Sequence, residues 1–109
     1  MQGQWMNLSE DQARLARGIF LLLGSKSSLM KFLFEERAFR LRARPGILRD
    51  QAWNFTEAEQ LQVRVVLDIW SGSGQVELWE LLESWEAEQW ARFIAAIREL
   101  KSLASRPSC

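Results

Sequence analysis

The stretch from Thr56 to Trp70 constrains this chain more than any other. Thr56-Glu57-Ala58-Glu59 has the form of a capping box, in which a hydroxyl takes a free amide and a carboxylate three residues on returns the bond. Leu61, Val63, Val65, Leu67 and Ile69 alternate, which by itself suits a strand. The uninterrupted length and the cap at its start argue for a helix instead. On a helix, these residues with Val66 and Trp70 cover most of the circumference. A helix that is apolar nearly all round must be buried on every side. The expectation is an all-α, single-domain bundle of four or five helices packed around a central helix at about 56–70. One helical domain would span 1–109, with loose termini at 1–7 and 104–109.

The remaining segments supply the wrapping. Ser9-Glu10-Asp11-Gln12 is a second capping box, and Leu15, Ile19, Leu22 and Leu23 follow at helical spacing up to Gly24. Gly18 lies inside this helix, where it costs roughly 1 kcal/mol against alanine. A close crossing with another helix would explain it. A second helix is expected to begin after Ser27 or Ser28 and to fade by Pro45-Gly46. Its second half, Phe39 to Arg44, alternates and also suits a strand, but the upstream pattern favours the helix. Residues 45–55 read as a loop anchored by Ile47, Leu48, Trp53 and Phe55. After the Ser71-Gly72-Ser73-Gly74 stop, a short helix at about 76–83 would bury Leu78, Leu81, Leu82 and Trp85. Glu77, Glu80 and Glu83 would form its wet side. Ser84 can cap a last helix with a stripe of Trp90, Phe93, Ile94, Ile97 and Leu100.

The segment Leu67-Asp68-Ile69-Trp70-Ser71-Gly72-Ser73-Gly74, followed by Leu78-Trp79-Glu80-Leu81-Leu82, resembles small uncharacterised bacterial helical proteins. In these a helix ends in a Trp-Ser/Asn-Gly turn, and a short Leu-rich helix leads into a final amphipathic one. The likeness covers roughly residues 56–100. It implies an all-helical fold and no activity.

Composition removes most catalytic chemistry. The chain has no histidine or tyrosine, and its one cysteine is Cys109. Structural zinc and the imidazole-dependent triads are therefore not expected. No cofactor is expected either. No run of about 18 apolar residues exists, so no membrane span is expected. Nor does the N-terminus read as a signal peptide, and the expected compartment is the cytoplasm.

The net charge of zero hides a segregation. Residues 31–49 carry Lys31, Arg37, Arg40, Arg42, Arg44 and Arg49 against only Glu35 and Glu36. Residues 74–91 carry five glutamates and no base. On a continuous second helix, Arg37, Arg40 and Arg44 would share a face, and Arg37, Arg40, Arg42, Arg44 and Arg49 are a candidate anion or nucleic-acid patch. A helix-turn-helix around Gly24 to Ser28 is disfavoured, because the residue four before the glycine is the bulky Phe20. On the same second helix, Phe32 and Phe39 fall opposite the Met30, Phe34, Ala38 and Leu41 face, as a candidate partner surface. The expected role is a small non-enzymatic protein–protein interaction or self-associating protein, with a homodimer as one form. Nucleic-acid binding by segment 37–49 is the alternative.

Overall fold

A computed structural model describes residues 7–24, 27–101 and 103. Of the expected loose ends at 1–7 and 104–109, all but Asn7 lie outside the described residues, as do Cys109 and the middle of the Gly24–Ser28 turn. Six α-helices are present among the described residues: α1 (Glu10–Leu23), α2 (Ser27–Leu33), α3 (Pro45–Gln51), α4 (Glu57–Ser71), α5 (Leu78–Ser84) and α6 (Ala87–Leu100). Among the described residues there is no named strand, only an isolated antiparallel bridge between Phe34 and Leu41. The radius of gyration, 13.0 Å, is that of a compact chain of about 100 residues. No helix among the described residues is long and apolar enough to cross a membrane.

Helix α4 is the central element. Both arms of its capping box form, with Glu59 N–H donating to Thr56 Oγ1 at 3.2 Å and Thr56 N–H to Glu59 Oε1 at 3.1 Å. Leu61, Val63, Val65, Val66, Leu67 and Trp70 are all buried. Helices α1, α2, α3 and α5 each pack against it. Gln62 is buried among these apolar groups, and its amide donates to the Leu22 carbonyl near the C-terminus of α1 at 3.1 Å. That carbonyl is one of the groups a helix end leaves without an internal partner.

Helix α6 takes its main seat on α1 rather than on α4. The two run antiparallel: Leu100 covers Gly18, Glu99 pairs with Arg17 at 3.0 Å, and Arg92 lies over Gly24. A Cβ on Gly18 would come within 2.6 Å of the Leu100 side chain. The mid-helix glycine is thus the close crossing anticipated above.

The count of six helices exceeds the expected four or five, and the reason lies between residues 34 and 55. The second helix stops at Leu33 instead of running to Pro45. On a continuous helix Phe34 and Phe39 would stand about 140° apart, so only one could face the core. The chain instead turns back at residues 35–40. Arg42 N–H donates to the Leu33 carbonyl and Glu35 N–H to that of Arg40. Both rings then reach Trp70 of α4, Phe39 edge-on at 5.2 Å and Phe34 at 5.6 Å. Residues 39–44 form neither the expected helix nor a named strand, although their side chains alternate between half-buried and exposed. The expected loop at 45–55 is also corrected: Pro45 starts a helix, because its missing amide is not needed at the first position and its ring pre-sets the helical φ. Arg44, extended before it, obeys the restriction that proline places on its predecessor. Leu48 and Phe55 anchor inward as expected, while Ile47 and Trp53 point to solvent.

Candidate interaction surface

Helix α5 is fixed to α4 by its polar side. Arg64 of α4 grips the Glu80 carboxylate with two bonds, Nη1 to Oε2 at 3.0 Å and Nη2 to Oε1 at 3.1 Å. Its Nε also donates to the Gly74 carbonyl at 3.1 Å, and Nη2 to that of Gln75. Ser84 donates to Glu57 at 2.8 Å, and the Trp85 indole N–H to the Ala58 carbonyl at 3.2 Å. Leu81 and Trp85 fill the space between these contacts. A bidentate arginine–carboxylate pair fixes orientation as well as distance.

This seating turns the rest of the short helix outward, contrary to the expected arrangement. Glu80 is not on the wet side but faces α4. Leu78, Trp79 and Leu82 are 67 %, 66 % and 57 % exposed. Leu78 and Leu82 are one turn apart, with Trp79 beside them, so the three form one apolar strip. Exposed Glu77 and Glu83 border it.

The stripe of α6 also divides. Phe93, Ala96 and Leu100 pack inward, whereas Ile94 and Ile97 are 49 % and 41 % exposed. The missing cue is Arg92, which turns with Ala96 toward α1 and so rotates the isoleucines out. Ser84 is occupied with Glu57, and the cap of α6 is Glu86, whose N–H donates to Gln89 Oε1 at 2.9 Å. Trp90 bridges the two surfaces: it packs edge-on against Trp85 at 5.6 Å and lies one turn before Ile94.

The sequence-derived candidates sit elsewhere. Phe32 and Phe39 do not share a helix face. Both are half-buried against the core, Phe32 edge-on to Phe55 at 5.1 Å and Phe39 on Trp70. The arginines do not lie on one helix: Arg37, Arg40 and Arg42 follow α2, Arg44 precedes α3 and Arg49 lies within it. Arg40 is engaged by Glu35, which raises its already high pKa. Arg42 Nε donates to the Phe32 carbonyl at 3.0 Å, with its guanidinium over the Phe32 ring. Arg49 donates to the Ser73 carbonyl at 2.7 Å, bracing the turn after α4. Arg37 and Arg44 are exposed at the 35–40 loop and at the start of α3. The Ser71–Gly74 segment is a helix stop, with Gly72 left-handed and its N–H donating to the Asp68 carbonyl at 2.8 Å.

Hydrogen bonds from Arg64 and from the Glu77 amide hold the Glu80 carboxyl below its ordinary value near 4.5. A depressed carboxyl contributes stability that is present above its unfolded pKa and is lost as pH falls through the folded one. The stability gap between wild type and Glu80→Gln is therefore expected to be constant at neutral pH. It should shrink below about pH 4.5 and vanish in stronger acid, as read by urea unfolding at each pH. A gap independent of pH would remove the ionised pair from the latch.

The chain matches no family model, and no curated protein and no solved structure is similar to it. The resemblance across residues 56–100 therefore stays at the order of elements: a helix, a Trp-Ser-Gly turn, a short Leu-rich helix and a final amphipathic one.

Proposed function

We propose that the protein is a small, non-enzymatic, cytoplasmic interaction protein that docks a protein partner on the outward strip of α5. The observation that carries this reading is that Leu78, Trp79 and Leu82 are more than half exposed on a helix locked in place from behind. Contiguous exposed apolar side chains with a polar rim are typical of association sites. Tryptophan is over-represented among the residues that dominate interface energy, and a rigid backing spares the ordering cost of binding. The polar groups in the groove behind α5 support a structural role: Arg64 with Glu80 and Ser84 with Glu57 satisfy each other. Glu80 is held ionised, the opposite of a general acid.

A photo-crosslinking amino acid at position 79, introduced in the native host, is expected to give a discrete protein adduct. The same group at the exposed Asp50 should not, and Leu78→Ser with Leu82→Ser should abolish the adduct. No adduct from position 79 overturns the docking reading. With three of the five arginines engaged within the chain, duplex DNA in low salt is expected to show no gel shift at tens of micromolar protein, about the range non-specific binders reach.

A further inference from the structure

The outer face of α6 has a different character from that of α5, and its occupant can be read from charge. Ala87, Trp90, Ala91, Ile94 and Ile97 recur at i, i+3, i+4, i+7 and i+10, within about 120° of the circumference. All are exposed but Trp90, which is half-buried. This is the spacing of a helix seam, on the side facing away from α1. The seam is electrically polar. Exposed Glu86 lies at its start, and exposed Arg98 and Lys101 continue the same stripe at its end. Neither base makes an ion pair among the described residues.

We infer that this face is covered by a second copy of the chain, with the two α6 helices packed antiparallel about a two-fold axis at Ile94. The inference rests on reading the chain as an interaction protein, but it uses a helix face other than the α5 strip. Charge sets the direction. A parallel pair would place Glu86 against Glu86 and Lys101 against Lys101. An antiparallel pair sets the acidic end of each copy against the basic end of the other. Like charges across an interface disfavour a mode, and opposite ones select it. The register is sterically consistent. With Ile94 on the axis, Trp90 lies against Ile97 of the partner subunit on one side of the seam, the small Ala91 leaves room for Arg98 of the partner subunit on the other, and Ala87 meets Lys101 of the partner subunit near the midline. A two-fold interface is self-complementary in this way, each contact occurring twice.

The test uses the full chain with Cys109→Ser, so that no other thiol is present. Sedimentation velocity is expected to show a monomer–dimer equilibrium. Ile94→Asp should raise its dissociation constant at least about tenfold, as loss of a central interface residue does. Because Ile94 and Ile97 are solvent-exposed in the monomer, the circular dichroism spectrum should be unchanged. Under mild oxidation Ile94→Cys should form a covalent dimer by itself. Ala87→Cys should not, yet should cross-link when mixed with Lys101→Cys. A protein that stays monomeric at several hundred micromolar overturns the inference. So does a dimer indifferent to Ile94→Asp, or efficient self-linking of Ala87→Cys, the mark of a parallel pair. None of these results touches the α5 reading, which stands or falls on the adduct at position 79.

Discussion

Gly74→Ala is expected to destabilise the protein by roughly 3 kcal/mol, the upper end of the cost of overpacking. Gly74 is buried where the chain returns from α4 toward α5. A Cβ there would fall 1.9 Å from the Arg64 carbonyl oxygen, 2.9 Å from its carbon and 2.8 Å from Asp68 Cβ. The first two are backbone atoms of the central helix, and they cannot retreat without breaking the helical ladder. The turn must lift instead. Lifting it strains the bonds from Arg64 to the Gly74 and Gln75 carbonyls and from Arg49 to Ser73. Those bonds seat α5, so the same substitution should also loosen the Leu78, Trp79 and Leu82 strip. In urea the midpoint should fall with the slope unchanged, and amide exchange in α5 should accelerate. Gly46 is the control, since a Cβ there meets nothing nearer than 3.9 Å and the residue is helical. Gly46→Ala should be neutral or stabilise by up to about 1 kcal/mol. Equal effects at the two glycines would show that crowding at Gly74 is not what demands the small residue.

Trp70→Ala is expected to cost about 3–5 kcal/mol, the range for emptying a buried aromatic site. Trp70 lies in the last turn of the central helix and is nearly fully buried. Its indole receives Phe39 at 5.2 Å and Phe34 at 5.6 Å, and those rings lie 5.4 Å from each other. The three form the anchor of the 34–41 turn. Aromatic contacts of this kind add to the stability that burial alone gives. The loss should therefore be local as well as global: amides of residues 35–42 should exchange faster relative to those of α1 than in wild type. Phe39→Ala should free the same turn at a smaller global cost, because Phe39 is only half-buried. Combined with Trp70→Ala it should add less than its single effect, since the two rings touch. Full additivity would mean that the turn is held by something other than this cluster.

The helical architecture, the two capping boxes at Ser9 and Thr56, and the central place of α4 were legible in the chain itself. Each depends on residues close in sequence, or on an apolar pattern so continuous that only burial suits it. Gly18 was legible for a related reason, because a costly residue in mid-helix implies a close neighbour, though not that the neighbour is Leu100. The outward surfaces of α5 and α6 were not legible. In isolation the α5 segment has an ordinary two-sided pattern, with leucines to bury and glutamates to expose. What inverts it is Arg64, ten residues or more away in sequence, whose guanidinium takes Glu80 and two loop carbonyls at once. For α6 it is the seat of Arg92, Ala96 and Leu100 on α1, most of the chain distant, that sends Ile94 and Ile97 to the outside. The turn at 35–40 has the same origin, since Phe34 and Phe39 leave the helix only because Trp70 can receive both. Local sequence decided that the chain coils and where α1 and α4 begin. Long-range pairing decided which side of each coil meets water, because a side chain's environment is set by the element packed on it and not by its neighbours along the chain.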